Sequence, residues 1–482
     1  MLENAFFQAL VQTFPHTPTA SQSAVLQLLS EFLTNGKRDE KLFLLKGFAG
    51  TGKTTIIASL VAVLERTKVK TILLAPTGRA TKVISEYAKR KAYTIHKHIY
   101  YPKTEIGGVR FTLKNNKEVN ALYIVDEASM ISDKVSFGEN SLLYDLINFV
   151  YSGVNCKLIL IGDTAQLPPV HTEISPALDY NVLSAYYHKE VSQTELTEVV
   201  RQRKSSGILF NATKIRQKIK KFDSIFQLKL GKYTDFIYLT DKNEVQEALV
   251  DAYSDYGTEE TTFIVRSNKR AVQYNQQIRK IVMDYEDRIC VGDLLMVVKN
   301  NYFWLDEKSE AGFIANGDTV EILEIYRYEN LYGFDFAEVS LQMIDYPSQE
   351  PFDAFIILDS LETDSPALTN EQNKALYEAI IREYNEQRGQ IKPLNIKENP
   401  YFNALQVKYS YAVTCHKSQG GQWDIVFVEK PFLPDNQISI AYLRWLYTAI
   451  TRAKEMVYLI NFPKADFIDF PPEEEEKKRR KR

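Results

Sequence analysis

The feature that most constrains this chain is the run GFAGTGKT at residues 47–54, which matches the phosphate-loop pattern G-x-x-x-x-G-K-[ST] at every fixed position. The apolar run before it, Lys41–Leu45, predicts a buried strand, and the apolar spacing from Thr55 to Arg66 predicts a helix after it. A helix that follows such a loop presents free N–H groups and the positive end of its dipole to an anion. The sequence therefore predicts a unit that binds nucleotide phosphates.

Within this loop, Lys53 is expected to reach the β- and γ-phosphates, and the Thr54 hydroxyl is expected to bind Mg²⁺. The residues predicted to hold the nucleotide here are Gly47, Ala49, Gly50, Thr51, Gly52, Lys53, Thr54 and Thr55.

Bulk composition sets limits on the class of protein. The 482 residues suffice for roughly two to four domains, and 45% apolar residues are ordinary for a globular protein. The net charge is −3, so any nucleic-acid contact must come from a local groove. Cys156, Cys290 and Cys415 are too few and too scattered for a disulfide framework or a zinc site. With no secretory signal and no long apolar run, we expect a cytoplasmic protein without a membrane span.

Short apolar runs alternate with helical patterns over the first 200 or so residues, which favours a parallel sheet covered by helices. The predicted strands here are Leu42–Leu45, Thr71–Ala75, Ala121–Val125 and Leu158–Ile161. Ligands of such sheets bind at the carboxyl ends of the strands. The phosphate loop, Pro76-Thr77, Asp126-Glu127 and Gly162-Asp163 follow these ends.

A second set of strands predicts a second α/β domain, made of Thr262–Val265, Tyr411–Thr414, Ile425–Val428 and Val457–Ile460. Aromatic-rich alternation interrupts it and indicates a small β-rich, barrel-like insertion with a charged helix at about Thr369–Gln387. A smaller hairpin is predicted at about 99–119 in the first domain. The expected boundaries are 1–195 for the first domain, 196–315 and 409–465 for the second, 316–408 for the insertion, and 466–482 for a charged, disordered tail.

Two further elements suit nucleotide hydrolysis. The strand that ends at Val125 is followed by Asp126, placed to hold Mg²⁺, and Glu127, placed to orient or deprotonate a water. Gln166 follows the strand that ends near Ile161, where an amide can sense the γ-phosphate or hold the attacking water.

The ordered motifs of this chain resemble those of superfamily 1 DNA helicases, and most of all the RecD/Dda branch. They are GFAGTGKTT, LAPTGRA (74–80), VDEASM (125–130), GDTAQLPPV (162–170), TEVVRQ (197–202), TCHKSQGGQWD (414–424) and YTAITRAK (447–454). The resemblance extends from about Thr19 to about Ile460. It implies two RecA-like domains that bind ATP and Mg²⁺ between them and single-stranded DNA across their top.

The resemblance also implies roles for individual residues. Gln22 is expected to read adenine, and Arg201 and Arg452 are expected to reach the γ-phosphate from the second domain, so that hydrolysis requires closure of the cleft. Relatives often carry a glutamate for the ribose where this chain has Gln422, which puts ribose selectivity in doubt. The predicted catalytic set is Lys53, Glu127, Gln166, Arg201 and Arg452, with Thr54 and Asp126 as metal ligands.

Contacts with DNA are expected at Pro76, Thr77, Arg79, Thr94, His96, Thr414, His416 and Lys417. Tyr100, Tyr101 and Phe111 of the small insertion are expected either to stack on bases or to pack the hairpin. Tyr302 and Trp304 are expected to pack the β-rich insertion rather than to bind bases.

These observations predict an ATP-dependent DNA helicase, of 5′→3′ polarity by resemblance, that acts as a monomer on single-stranded DNA and its junctions with duplex. Replication or recombination proteins are conceivable partners. Three alternatives stay open: a single-strand translocase or protein-displacing ATPase with little unwinding, a DNA-binding scaffold without turnover, and a nucleotide or metabolite kinase. The scaffold is disfavoured because Lys53, Asp126, Glu127 and both arginines are present, and the kinase because it has no use for a second arginine-bearing domain.

Overall fold

The computed structural model describes residues 3–34, 41–105, 108–134, 140–170, 172–199, 206–223, 225–231, 233–306, 309–387, 396–434 and 437–469. Two predictions fall outside these residues: the role of Arg201 and, beyond 469, the disordered tail. The predicted start of the tail at 466 is wrong, because Phe467 is buried and Asp469 accepts from the N–H groups of Leu230 and Gly231, both at 3.1 Å. Within the described part of the chain, none of the helices is long and apolar enough to cross a membrane.

The first domain is built on a parallel sheet. Its helices are α1 (Glu3–Thr13), α2 (Ala20–Thr34), α3 (Lys53–Arg66), α4 (Gly78–Ala88), α5 (Ile95–Ile99) and α6 (Leu142–Ser152). Its strands are β1 (Lys41–Gly47), β2 (Thr71–Ala75), β3 (Ala92–Thr94), β4 (Tyr100–Glu105), β5 (Gly108–Leu113), β6 (Leu122–Val125), β7 (Lys157–Gly162) and β8 (Glu190–Leu196). Six of them form one sheet in the order β3-β2-β6-β7-β1-β8, while β4 and β5 pair as a separate hairpin.

The local sequence explains these elements. Strands β2, β6 and β7 are buried along their whole length, as expected for a sheet covered on both faces. Helix α3 places Ile56, Ile57, Leu60 and Leu64 in the core beside this sheet. The predicted hairpin is confirmed, with Tyr100 opposite Leu113 at its base.

The second domain contains a smaller parallel sheet and an inserted barrel. Its helices are α7 (Gly207–Lys220), α8 (Lys242–Tyr256), α9 (Asn268–Ile281), α10 (Asp359–Glu362), α11 (Asn370–Gln387) and α12 (Ile440–Ile450). Its strands are β9 (Phe236–Leu239), β10 (Thr261–Val265), β11 (Leu294–Val297), β12 (Thr319–Leu331), β13 (Phe334–Met343), β14 (Phe352–Ile357), β15 (Leu405–Tyr409), β16 (Ala412–Thr414), β17 (Trp423–Glu429) and β18 (Ala453–Ile460). The sheet order is β16-β10-β17-β18-β9, and β11 to β15 close the barrel.

The barrel begins earlier than the predicted insertion boundary of 316. Strand β11 pairs antiparallel with both β12 and β15 and so closes the barrel. Its short apolar run, Leu294–Val297, has no alternation and looks like a strand of a parallel sheet in the sequence. The barrel also ends one residue later than predicted, at Tyr409. The predicted α/β class with two parallel sheets, a hairpin and a barrel-like insertion is confirmed.

Candidate functional site

The phosphate loop joins β1 to α3. Gly50 and Gly52 have φ angles of +74° and +92°, which side-chain-bearing residues rarely adopt, so these turns need glycine. A Cβ atom at Gly52 would also lie 2.4 Å from the Gln22 amide nitrogen. No side chain caps the N-terminus of α3, so its N–H groups remain available to an anion.

Lys53 and Gln22 each donate hydrogen bonds to backbone carbonyls of the phosphate loop. The Lys53 ammonium group donates to the carbonyl oxygens of Gly47, at 2.7 Å, and Phe48, at 3.1 Å. The Gln22 amide nitrogen donates to the carbonyl of Thr51 at 3.0 Å, and its oxygen accepts from the N–H of Thr19 at 2.9 Å. Gln22 is completely buried. Both ends of its side-chain amide are therefore occupied by the protein, and the adenine contact predicted for it would have to displace one of these hydrogen bonds.

The two predicted metal ligands lie on either side of a tyrosine that the sequence analysis did not select. The Tyr87 hydroxyl donates to Asp126 Oδ2 at 2.5 Å and lies within hydrogen-bonding reach of the Thr54 hydroxyl. Burial, and next the charge of Glu127, raise the pKa of Asp126 to about 6. Burial, followed by the charge of Asp126, raises the pKa of Tyr87 well above its usual range, so this hydroxyl keeps its proton.

Glu127 meets an arginine of the second domain. Its backbone adopts a φ of +51°, and its N–H donates to Asp126 Oδ1 at 2.8 Å. The Glu127 carboxylate lies 3.9 Å from Arg452 Nη1. Arg452 is buried and donates to the carbonyl oxygens of Thr448 and Gly421, both at 3.2 Å. A cation of the second domain is thus aimed at the carboxylate predicted to activate water.

The loop after β7 forms further bonds across the same cleft. Gln166 is buried, and its side-chain oxygen has no hydrogen-bond partner within the described residues. Beside it, the N–H of Leu167 donates to Thr448 Oγ1 at 2.8 Å, and Gln419 donates to the Leu167 carbonyl at 2.7 Å. Arg444 of α12 donates to the carbonyl of Thr164 at 2.8 Å. Gln166, the residue predicted to sense the γ-phosphate, therefore lies in a loop that is hydrogen bonded to the second domain.

Tyr447 of α12 bridges the phosphate loop and this second loop. Its hydroxyl accepts from the N–H of Ala49 at 2.8 Å and donates to Asp163 Oδ2 at 2.6 Å. Tyr447 is almost completely buried, and burial raises the pKa of Asp163. Sequence reasoning missed this role, although Tyr447 opens the motif YTAITRAK. Tyr87 carried no sequence signal beyond its place in a helix.

Part of the predicted DNA contact surface lies on the seam between the domains. Pro76 and Thr77 follow β2, and Thr77 caps α4 by accepting from the N–H of Ala80 at 3.3 Å. A Cβ atom at Gly420 would lie 3.1 Å from Thr77 Oγ1. The Arg79 guanidinium stacks on the Trp423 ring at 4.2 Å. Arg79 thus already contacts the second domain, and a DNA phosphate would have to bind its guanidinium beside the Trp423 ring.

The second predicted pair, Thr94 and His96, lies beside the first. Thr94 pairs with Ala75 in the sheet and caps α5 by accepting from the N–H of Lys97 at 3.3 Å. The His96 ring packs 5.8 Å from the Tyr100 ring and 5.7 Å from the Phe111 ring. Burial lowers the pKa of His96 to about 4, so the ring is neutral near pH 7.

The third group follows β16. Thr414 ends the strand, and its carbonyl accepts from the N–H groups of Lys417, at 2.8 Å, and Ser418, at 3.1 Å, which forms a tight turn. His416 is exposed on this turn. Burial lowers the pKa of Lys417 to about 8. Gln422, a little further on, is exposed beside Gly421, the residue whose carbonyl holds Arg452.

The hairpin aromatics divide between packing and exposure. Tyr100 and Phe111 are buried, and the Tyr100 hydroxyl donates to Asp145 at 2.8 Å. Tyr101 is 61% exposed. Tyr302 stacks on Phe313 at 4.8 Å. Among the three hairpin aromatics considered, Tyr101 is the exposed one, and the Lys114 ammonium lies over its ring at 5.0 Å, so a base would have to share this ring with Lys114.

The aromatics of the inserted barrel pack as the sequence suggested. Tyr302 also contacts the ring of Phe111 at 5.7 Å, so it joins the hairpin to the second domain. The Trp304 indole donates to the carbonyl of Asn403 at 2.8 Å.

The fold and the site together define a two-domain phosphate-loop NTPase whose nucleotide site is completed by residues from both domains. Two family models match separate parts of the chain. The model of an AAA domain matches residues 21–225, and that of a UvrD-like helicase C-terminal domain matches residues 409–460.

Comparison with individual proteins gives similarity over most of the chain. The ATP-dependent DNA helicase dda of Enterobacteria phage T4 is 25% identical over 86% of this chain and 93% of its own length. RecBCD enzyme subunit RecD of Buchnera aphidicola is 23% identical over 87% of this chain and 70% of its own length. Among solved structures, a Pif1 helicase from Bacteroides in complex with ADP-AlF3 and ssDNA is similar over 97% of each chain, at 16% identity and a TM-score of 0.48. Together, these family models and relatives support a superfamily 1 helicase of the RecD/Dda-like group.

Proposed function

We propose that this protein uses ATP hydrolysis to move 5′→3′ along single-stranded DNA and to separate the duplex ahead of it. The broader activity, that of an ATP-dependent DNA helicase, is supported by the helicase relatives and by the helicase C-terminal domain model. The single observation that carries the mechanism is the 3.9 Å contact between Glu127 of the first domain and Arg452 of the second. Because these residues belong to different domains, the state of the nucleotide is tied to the closure of the cleft.

The residues fit ATP with Mg²⁺. Uncapped N–H groups of α3 and the Lys53 ammonium suit the phosphates. Thr54 and Asp126 supply the hard oxygen ligands that Mg²⁺ prefers, and a single tyrosine hydroxyl reaches both side chains. When bound, the metal would neutralise charge on the β- and γ-phosphates. Gln22 would read adenine only by exchanging one of the hydrogen bonds it now makes.

The protein groups divide the chemistry between the domains. Glu127 would accept the proton of the attacking water, and Gln166, whose side-chain oxygen is unbonded within the described residues, would orient that water. Arg452 would neutralise the charge that develops on the γ-phosphate, as an arginine finger does. In the closed cleft Arg452 lies close enough to Glu127 to act on the same atoms. Arg201 is proposed for a similar role on its sequence motif alone.

Single-stranded DNA would cross the seam where Thr77 and Arg79 face the segment from Thr414 to Trp423. Hydroxyl groups and the Lys417 ammonium suit phosphate oxygens, and the exposed ring of Tyr101 suits a base at the fork. Opening one base-pair step costs about 1.4 kcal/mol, so one ATP per step is energetically sufficient. We also propose that the protein works as a monomer in the reducing cytoplasm, where its three free thiols would persist.

Strand separation of 5′-tailed and 3′-tailed duplexes, measured with ATP and Mg²⁺, tests the proposal. We expect unwinding of the 5′-tailed duplex only, together with an ATPase activity strongly stimulated by single-stranded DNA. Unwinding from the 3′ tail would overturn the polarity. Stimulated ATPase without separation of either substrate would indicate a translocase, and an ATPase indifferent to DNA would indicate a kinase-like enzyme.

A further inference from the structure

Helix α4 contacts the second domain at its N-terminal end and the proposed metal ligands near its C-terminal end. Its N-terminal turn faces the second domain, because Arg79 stacks on Trp423 at 4.2 Å. Gly78, in the same turn, approaches the barrel so closely that a Cβ atom would lie 2.5 Å from Asp318 Oδ1. Tyr87 lies in the last turn of the same helix. The helix has 11 residues, so it spans about 16 Å between these ends.

The far end of α4 reaches the proposed metal ligands. The Tyr87 hydroxyl lies 2.5 Å from Asp126 Oδ2 and within hydrogen-bonding reach of the Thr54 side chain. The other carboxylate oxygen of Asp126 accepts from the N–H of Glu127 at 2.8 Å. Both oxygens of this carboxylate are therefore held by protein donors, one of them from α4.

A bound metal would compete with this hydroxyl for the Asp126 and Thr54 oxygens. Mg²⁺ lies about 2.0–2.1 Å from each oxygen ligand and keeps an octahedral shell that includes waters. A hydroxyl within hydrogen-bonding reach of both Thr54 and Asp126 would compete with the metal, or with its waters, for these oxygens. Since Tyr87 belongs to α4, moving its hydroxyl requires either a new side-chain rotamer or a shift of the helix.

We propose that Tyr87 is a positioning residue that holds Asp126 while the metal is absent and leaves it when Mg²⁺–nucleotide binds, so that metal occupancy is coupled through α4 to the second domain. This inference rests on the proposed function for the identity of the ligand. Two ligands that bias the same helix must change each other's affinity by the same factor. DNA bound at the N-terminal end of α4 is therefore expected to shift the Mg²⁺ requirement of nucleotide binding.

The test compares Tyr87→Phe with a matched control, Tyr151→Phe. Tyr151 lies in α6 of the same domain, and its hydroxyl donates to the carbonyl of Lys41 at 2.7 Å, at the opposite end of β1 from the phosphate loop. Each variant loses one tyrosine hydroxyl and keeps its ring. Binding of a fluorescent ADP analogue is titrated with Mg²⁺, and its affinity without Mg²⁺ is measured with a chelator.

For Tyr87→Phe we expect the half-saturating Mg²⁺ concentration to fall about tenfold or more, because a hydrogen bond to a charged group no longer competes with the metal. The metal-free affinity should stay within about twofold of the wild type, and Tyr151→Phe should match the wild type in both measurements. An unchanged or higher Mg²⁺ midpoint in Tyr87→Phe overturns the proposal. So does a loss of metal-free affinity, which would mean that the loop itself is disturbed.

A second titration in the presence of an oligo-dT strand tests the coupling. The strand should shift the wild-type Mg²⁺ midpoint, and the shift should be at least halved in Tyr87→Phe. Equal shifts in both proteins, or no shift in the wild type, overturn the coupling. The ATPase of the same wild-type preparation is measured with and without DNA. If DNA does not stimulate it, the proposed function fails, whereas the Mg²⁺ midpoints without DNA still decide the role of Tyr87.

Discussion

Replacing Tyr447 with phenylalanine should uncouple the second domain from the nucleotide site. The substitution keeps the buried ring and removes one hydroxyl, which accepts from Ala49 in the phosphate loop and donates to Asp163. A hydrogen bond to a charged group contributes about 1.5–3 kcal/mol, and a neutral one about 0.5–1.5 kcal/mol. When the cleft opens, water can replace part of the stabilisation that these two hydrogen bonds provide. We therefore expect the substitution to destabilise the closed state by about 2 kcal/mol relative to the open state, which is about 30-fold in the equilibrium between them.

The chain offers a matched control in Tyr411. Its hydroxyl also accepts from a backbone N–H, that of Leu294 at 3.1 Å, and donates to a buried carboxylate, Asp293 at 3.0 Å. Both tyrosines are 1% exposed. The Tyr411 bonds lie within the second domain, whereas the Tyr447 bonds join the two domains. Tyr411→Phe should therefore lower the free energy of unfolding without changing the closure of the cleft.

The assay is steady-state ATP hydrolysis with saturating single-stranded DNA, beside denaturant unfolding of each variant. Tyr447→Phe should lose about 10- to 30-fold in DNA-stimulated kcat, because its hydroxyl joins the domain that carries Arg452 to the loops beside Glu127. Tyr411→Phe should retain kcat within about twofold and unfold at lower denaturant. A Tyr447→Phe enzyme with wild-type kcat, or a Tyr411→Phe enzyme with an equal loss of kcat, would refute the reasoning.

Three further substitutions test individual roles. Lys53→Ala should abolish ATP hydrolysis and leave binding of labelled single-stranded DNA measurable; loss of both in a folded protein would contradict separate sites. Glu127→Gln should bind nucleotide normally but hydrolyse it about 10²- to 10⁴-fold more slowly in single turnover, and a milder loss would remove Glu127 as the base. Burial lowers the pKa of Lys417 to about 8, and a phosphate contact favours its charged form, so DNA affinity should weaken as the pH rises through 8. Lys417→Arg stays charged and should flatten this profile in fluorescence anisotropy; an unchanged pH slope would exclude Lys417 from the contact.

The nucleotide end of the site could be predicted from the sequence because it depends on local chemistry. A strand, a glycine-rich turn and a helix lie consecutively in the chain, so the residues at 47–54 are enough to predict the shape of the phosphate loop. Tyr87 and Tyr447 could not be found in this way. Their roles depend on contacts with residues far away in sequence, and a tyrosine in an amphipathic helix is typical of ordinary packing.

The barrel boundary shows the same limit in the fold. Strand β11 has the apolar character of a parallel strand, and only its pairing with β12 and β15 assigns it to the barrel. The same limit applies to His96 in the candidate site. Its ring packs against Tyr100 and Phe111, and the motif alone does not predict these contacts. Pairing between distant segments is the information that a single sequence lacks.

The barrel is attached to the second sheet almost without a linker. Only Ser410 and Tyr411 separate β15 from β16, and the backbone of each is hydrogen bonded, Ser410 to Leu294 and Tyr411 to Phe263. Strand β12 has 13 residues and projects about 40 Å, so a rotation of about 10° at its base would displace its tip by about 7 Å. A dye attached at the exposed residue Leu331, near that tip, would therefore move several ångströms when the sheet that contains β16 rotates by a small angle. Single-molecule recordings with such a label would count the steps of the protein along DNA through the displacement of a hairpin tip that lies outside the proposed nucleotide site.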